Sequence, residues 1–412
     1  MHSQNLPIPY LNFFWKHILT FLFLWGSVTT VFSQKKNNTR IFLVEPEFMI
    51  GKVIPIYDNF PETDYRKSLF LNIGILNTDP KNNWVSFYNY PTVGISFSAS
   101  HLGNSAILKN EFSLIPYIIL KTSRNQRKSV DFKLGLGASY FNNPYNADKN
   151  PDNLVIGSRF SWAFQLFMYK NLLVTDIVNI KMGFGFLHSS NSHTTLPNYG
   201  LNSVMVSLAA QFAINRYDPD FALKQEKKPI DKTKHYFLQT RVGLGWHELG
   251  GTWAPIGGPD YPVHTFSLST GILFKQQLKL KLGFNYRFYQ SFYDFILKTQ
   301  FPGFGENPKS EASNVNIFVG AELLIGHVGM DVEVGFNIYK PFYEQINYRW
   351  EFNEGFKYFR NKYIATRLGL KYYIINTNRL PRHNVFLGSH INANFGKADF
   401  MDISMGYIYM IK

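Results

Sequence analysis

Apolar and polar residues alternate along most of this chain. From Leu278 to Phe288, one parity carries Leu278, Leu280, Leu282, Phe284, Tyr286 and Phe288, and the other carries Lys279, Lys281, Gly283, Asn285 and Arg287. Successive side chains of a β-strand point to opposite faces, so this segment reads as an apolar wall backed by a charged one. The period recurs from Met330 to Tyr339, where Val332, Val334, Phe336 and Ile338 oppose Asp331, Glu333, Gly335 and Asn337. Near the start, Phe42, Val44, Phe48 and Ile50 oppose Glu45 and Glu47. At the end, Met401, Ile403, Met405, Tyr407, Tyr409 and Ile411 oppose Asp402, Ser404 and Gly406. Inward charges are costly in a small soluble sandwich but cheap in a wide, wet barrel with lipid outside. Segments of this kind predict an all-β, antiparallel transmembrane β-barrel of about 14–16 strands.

Connections orient the strands. Tight turns at Gln276-Gln277 and Gly326-His327 alternate with longer stretches at His247–Pro262, Ser291–Ser313 and Phe342–Phe359. Short periplasmic turns and long outer loops are the usual arrangement, and it places both mature termini in the periplasm. The polar, Lys-rich connection from Arg216 to Lys234 falls on the periplasmic side. It either divides two eight-stranded halves or belongs to one wider barrel. The single barrel needs fewer special assumptions and is the expectation.

The N-terminal segment has one charge, Lys16, then an apolar run from Ile18 to Trp25 and a small residue at Ser33. That is the pattern of a secretory signal over residues 1–33, leaving 34–412 as the barrel. A membrane anchor needs about 20 apolar residues, and Gly26, Ser27, Thr29 and Thr30 interrupt the run.

Composition then narrows the chemistry. With 412 residues and no Cys, disulfide scaffolds and thiol metal or redox sites are excluded. Aromatic residues, 39 Phe and 25 Tyr among them, make up 17% of the chain, matching the 17% that is charged. A lipid-facing wall accounts for that surplus. The formal charge is +14, yet no Lys/Arg run, helix motif or zinc spacing points to nucleic acid. An acidic lipid surface suits the charge better. The histidines show no metal-ligand spacing, so neither a metal nor a cofactor is expected.

A barrel does not define a function; residues that break its pattern can. On one strand Ile180, Met182, Phe184, Phe186 and His188 share the lipid-facing parity, and Ser190 continues it. On the next, Asn202 heads the apolar stripe Val204, Val206, Leu208, Ala210, Phe212 and Ile214. A hairpin centred near Thr195 brings His188 opposite Asn202. Three polar residues then meet on the outer wall, near the membrane boundary. A His beside a Ser can take the hydroxyl proton, and a third polar group can hold the imidazole in the right tautomer. Alternatively, the three only mark an interfacial rim, where polar side chains are normal.

The stretch His188-Ser189-Ser190-Asn191-Ser192, followed by Pro197-Asn198-Tyr199-Gly200-Leu201-Asn202-Ser203, resembles the signature of the lipid A 3-O-deacylase (PagL) family. That family's motif runs His-x-Ser-Asn, then Pro-Asn-x-Gly-x-Glu-Ser. Its members are outer-membrane barrels that hydrolyse an acyl ester of lipid A. The resemblance implies Ser190 as nucleophile, His188 as general base and Asn191 as an oxyanion residue, with lipid A or lipopolysaccharide as substrate. The family's acid falls on Asn202. An amide oxygen there still accepts the ring N–H and orients the His, but it cannot offset imidazolium charge. A fainter similarity to longer relatives, the acyloxyacyl hydrolases, lies in Gly135–Tyr140, Asn150–Asn153 and Ile156–Ser158. The resemblance covers residues 34–215 at most; 216–234 reads as the connection and 235–412 as additional strands.

Two other groups stand out. Glu45/Glu47 and Asp331/Glu333 are carboxylate pairs of the kind a glycosidase offers, but on lumen faces they are expected to pair with Arg287, Arg367 or Lys371. His193, in the motif loop, is expected to be a solvated loop residue, with contact to a substrate phosphate as the other reading. The sequence thus predicts an outer-membrane serine esterase. The competing class is a non-catalytic barrel, a porin or a structural or adhesive protein, with a degenerate hairpin.

Overall fold

The alternating segments become strands in the computed structural model of the chain, which describes residues 40–79, 82–214, 218–226, 233–251, 254–255, 260–299, 303–346 and 354–411. The predicted signal, residues 1–33, lies outside them. Eight strands form a first barrel: β1 (Arg40–Val53), β2 (Arg66–Asn77), β3 (Thr92–His101), β4 (Asn110–Lys121), β5 (Val130–Phe141), β6 (Phe160–Val174), β7 (Val178–Ser190) and β8 (Leu201–Ala213). Each pairs antiparallel with its sequence neighbour, and β8 pairs back onto β1 to close the wall.

A second barrel starts with β9 (Lys234–His247). A two-residue ribbon, β10 (Gly250–Gly251) with β11 (Ala254–Pro255), stands outside its wall. The wall continues with β12 (Tyr261–Phe274), β13 (Leu278–Tyr289), β14 (Ser313–Ile325), β15 (Val328–Tyr339), β16 (Ile364–Tyr373), β17 (His383–Asn394) and β18 (Lys397–Ile411). Here β9 pairs with both β12 and β18. Short helices sit between strands: α1 (Asn83–Phe87), α2 (Phe221–Lys224) in the inter-barrel connection, then α3 (Gln290–Thr299), α4 (Pro308–Glu311), α5 (Pro341–Ile346) and α6 (Gly355–Tyr363) in the second half.

The strand number and the antiparallel pairing match the expectation; the preference for one wide barrel does not. β8 returns to β1 instead of continuing to β9, so the chain builds two closed eight-stranded barrels. The physical reason lies in the lumens. They are not wide and wet. An eight-stranded barrel is just wide enough for side chains to fill, and here each set of inward charges is buried and neutralised within its own wall. In the first barrel, Lys133 Nζ lies 3.2 Å from Glu47 and Lys181 Nζ 2.5 Å from Glu45. Arg66 meets Glu111 at 2.6 Å. In the second, Lys281 bridges Asp331 at 2.7 Å and Glu333 at 2.6 Å, Arg241 meets Glu333 at 2.7 Å, and Lys371 meets Glu322 at 2.9 Å. The carboxylate pairs are therefore structural. Arg367 and Lys371 are partners of Asp331, as expected, while Arg287 lies beside Asp399 instead.

The barrels stand side by side with the same orientation. At the end that carries α1, Tyr88 Oη donates to the Gln277 carbonyl at 3.1 Å, and Trp84 and Val85 pack near Leu323 and Ile325. Midway, Leu136, Trp162 and Phe164 of the first wall form one cluster with Trp246, Leu370, Ile391 and Met401 of the second. Away from this seam the outer walls stay apolar and exposed, as at Met182, Phe184, Leu282 and Val319.

Candidate active site

The hairpin β7–β8 carries the predicted residues at the end of the barrel opposite α1. Antiparallel register places His188 directly across from Asn202 and Ser189 across from Leu201. His188 and Asn202 share the outward face, and their side chains meet: His188 Nδ1 lies 2.8 Å from Asn202 Oδ1. An amide oxygen only accepts, so Nδ1 carries the proton and Nε2 is left as the basic nitrogen. Beside them, Gly200 adopts φ +80°. A Cβ at Gly200 would lie 3.1 Å from His188 Cε1 and 3.6 Å from Ser190 Cβ. Both side chains flank this one backbone atom, and any larger residue would be strained and crowded there.

The Ser190 hydroxyl is buried and receives two donors. Asn198 Nδ2 approaches Oγ at 2.9 Å and the Ser192 N–H at 3.2 Å. Ser192 and His193 both have left-handed φ, 58° and 64°, a costly conformation for residues with a Cβ. It turns the Ser192 N–H back onto the preceding serine. The Asn191 side chain points elsewhere: its Nδ2 donates to the Thr195 carbonyl at 2.6 Å. In this arrangement the donors on Ser190 are Asn198 and the Ser192 backbone, and the Asn191 amide pins the loop. Asn198 was visible in the motif but carried no assigned role.

The loop between β5 and β6, which carries Asn150–Asn153 and Ile156–Ser158, buttresses the hairpin. The Tyr199 and Gly200 N–H groups donate to the Leu154 and Val155 carbonyls at 3.1 and 2.9 Å. Gly157 has no room for a side chain, because a Cβ would lie 2.5 Å from the Pro197 carbonyl oxygen.

The second barrel completes the loop's surroundings. Glu248 Oε2 accepts from the Leu196 N–H at 2.6 Å, and its own N–H donates to the His193 carbonyl at 3.0 Å. The His193 ring is buried and stacks on His247, with centroids 4.9 Å apart. His193 is thus buried, not solvated. Burial, with His247 and Lys397 nearby, holds its ring well below the usual histidine range, so it is neutral. Burial also pushes the Glu248 carboxyl up to about 7, partly offset by the Leu196 N–H.

Nor does the triad look out onto open lipid. His188, Ser190 and Asn202 border a cleft of about 770 Å³ between the two barrels. Phe164 and Phe186 line it on the first wall, and Val334, Leu368 and Ile391 on the second. The second barrel's contribution had no sequence signal, because nothing in a strand pattern reports which outer face meets another barrel. Among the described residues, no group of three His, Cys, Asp or Glu is placed to hold a metal.

Two closed barrels with apolar outer walls and a polar constellation on one rim define an outer-membrane β-barrel protein. Family models then match both halves: residues 73–211 match "Lipid A 3-O-deacylase (PagL)" and residues 235–411 match "Acyloxyacyl hydrolase, C-terminal domain". The chain is thus PagL-like in its first half and acyloxyacyl-hydrolase-like in its second, and both models describe hydrolases. Among solved structures it is similar to that described as the outer membrane enzyme PagL, at 14% identity over 40% of this chain and 97% of that one, with a TM-score of 0.31. It is also similar to CdiB from Acinetobacter baumannii, at 10% identity over 92% of this chain and 61% of that one, TM-score 0.17. A Rh. blastica porin mutant matches at 9% identity over 90% of this chain and all of its own, TM-score 0.19. No curated protein matches the sequence.

Proposed function

We propose that the protein is a serine esterase that removes an ester-linked acyl chain from lipid A or a closely related lipid. The observation that carries this reading is the 2.8 Å bond between His188 Nδ1 and Asn202 Oδ1, made on the rim of the cleft that also holds Ser190. Ser190 Oγ attacks the acyl carbonyl while His188 Nε2 takes its proton and returns it to the departing sugar oxygen. Water, deprotonated by the same nitrogen, then releases the fatty acid from Ser190. Asn198 Nδ2 and the Ser192 N–H hold Ser190 Oγ in place, and they would serve the oxyanion by passing their bonds from Oγ to the acyl carbonyl oxygen as the new bond forms. Asn202 orients the imidazole but adds no negative charge.

The filled lumens favour this reading over a porin, since buried ion pairs occupy the space a channel needs. The test is mass spectrometry of lipid A from cells making the parent chain or Ser190→Ala. Loss of an acyl chain only with Ser190 intact supports the esterase. Identical lipid A from both overturns it and leaves a structural or adhesive barrel.

A further inference from the structure

The candidate triad belongs to the first barrel, yet the second barrel makes half of the cleft it borders. On the first wall, strand pairing sets Leu136, Phe164, His188 and Asn202 in one outward row, with Trp162 and Ser190 in the next row toward the rim. On the second wall, Val332, Leu368, Ile391 and Met401 form a row, and Val334, Thr366, Ala393 and Ala398 form the next toward the rim. Phe164 and Ile391 belong to one apolar cluster, so the two walls meet at about the level of His188. Ser190, one row higher, then stands at about the level of Thr366 and Ala393. The lining changes between these levels. Beside Ser190 the far wall is short, and the Thr366 hydroxyl donates to the Ala393 carbonyl at 3.2 Å, so it needs no other acceptor. One row lower the wall is bulky, with Leu368 and Ile391 across from Phe164 and Phe186. Shielding ends soon after: down the β7 stripe His188 and Phe186 are half-buried, whereas Phe184 and Met182 are exposed. The cleft is therefore a slot that narrows downward, closed on one flank by Trp162 and Met401 and open to the bilayer on the other. From Ser190 to Phe186 it runs about 13 Å along the strand.

We infer that the second barrel is the specificity wall for the acyl chain: Thr366 and Ala393 leave room for the chain to enter beside Ser190, and Leu368 and Ile391 hold its first carbons against Phe164 and Phe186 before it runs out into the bilayer. This rests on the esterase reading for what happens to the ester, though not for the holding of the chain. The slot suits one class of ligand, an ester of a long, straight aliphatic acid. A short acid does not reach the level of Leu368, and a ring-bearing or heavily branched acid does not pass between Ile391 and Phe164. Lipid tails gain little by exchanging one apolar surface for another inside a bilayer. What the slot adds is selection by shape, exerted on a chain whose ester end is tethered at the polar rim.

The test measures occupancy of the slot with hydrolysis switched off. Full-length Ser190→Ala protein in nanodiscs is photolabelled with lipid A bearing one ester-linked acyl chain that carries a diazirine close to its carbonyl, or with the same chain as a free hydrocarbon. Mass spectrometry then locates the labelled residues. The ester probe should label Leu368 and Ile391 about tenfold more than Leu282 and Val319, which face lipid away from the cleft; that ratio is the worth of one or two hydrogen bonds to the tethered ester. The hydrocarbon should label all four alike. Adding Ala393→Phe, which fills the entrance, should bring the ester probe's ratio near unity. Ala210→Phe, the same change near the other end of β8, should leave it intact. Heat-modifiable gel mobility identifies correctly folded barrels before labelling. Even labelling by the ester probe, or an enrichment that the hydrocarbon shares or that Ala393→Phe leaves in place, overturns the inference. Failure of the esterase reading shows separately, as unchanged lipid A in cells despite intact enrichment here.

Discussion

The first barrel finishes its outer rim with loops that pack against one another, whereas the second finishes its rim with helices. In the first, the β5–β6 loop and the β7–β8 loop lock together through backbone bonds at Tyr199 and Gly200. In the second, α3 to α6 stand between the strands, and α6 borders the cleft through Lys357, Arg360 and Asn361. Below the rims the two are close equivalents. Glu47 is held by Lys133 and by the Tyr169 hydroxyl at 2.5 Å; Glu322 is held by Lys371 and by the Tyr373 hydroxyl at 2.5 Å. The shared interior plan gives both lumens the same structural role, and the two halves diverge at their rims, where the proposed chemistry would sit.

The largest expected effect tests that the two lumens are equivalent. Glu47→Ala or Glu322→Ala leaves a buried ammonium without its carboxylate and should cost about 3–5 kcal/mol. Hydrogen exchange in rising urea should show lost protection confined to the altered barrel. Equal loss in both barrels from either variant would mean that the seam makes them one cooperative unit.

Next comes the rim of the first barrel. Asn202→Ala frees the His188 ring and should lower kcat for acyl release about 10- to 100-fold. Asn202→Glu, which restores a carboxylate at the family's acid position, should retain or raise the parent rate. An Ala variant as fast as the parent would remove Asn202 from the mechanism.

The contact between rims is expected to matter less. Glu248→Ala removes the acceptor for the Leu196 N–H and should slow acyl release several-fold, about the value of one charge-assisted bond, while faster exchange appears in residues 191–200. No change in either measurement would show that the first barrel holds its hairpin unaided.

The smallest effect is a pH dependence of the same contact. The Glu248 carboxyl titrates at about 7 in the folded protein against an ordinary value of 4.5. A raised acid binds its proton more tightly when folded, so its stabilising contribution is complete below about 4.5 and lost as pH rises through about 7. Protection of residues 191–200, compared at each pH with Glu248→Gln, should therefore decline across that window. A parent and variant that track each other throughout would rule out Glu248 as the cause.

Much of the wall was legible in the sequence, because period-2 alternation is a local property that survives folding unchanged. Closure was not. Whether β8 meets β9 or returns to β1 depends on pairing between residues far apart, such as Phe48 with Leu208, and alternation looks the same for either partner. The pairing of His188 with Asn202 was legible for a related reason: both interrupt an otherwise apolar parity, and the hairpin register sets them opposite each other. The direction of the Asn191 side chain was not legible, because residue type says nothing about where an amide turns; it points to Thr195. The roles of His247 and Glu248 needed the second barrel in place, and the charge total could not say which lysines reach the rim.

The barrels are joined near one face by Tyr88 and Gln277 and near the other by Glu248 and Leu196, with Val332 and Val334 still 43% and 49% exposed along the wall between. Such a slot opens sideways, into the plane of the bilayer. Under the proposed esterase activity, a lipid ester would arrive by lateral diffusion and its products would leave the same way, without crossing water. Turnover would then follow the surface density of the lipid in the leaflet, and diluting the leaflet with unrelated lipid should slow the reaction at constant total substrate.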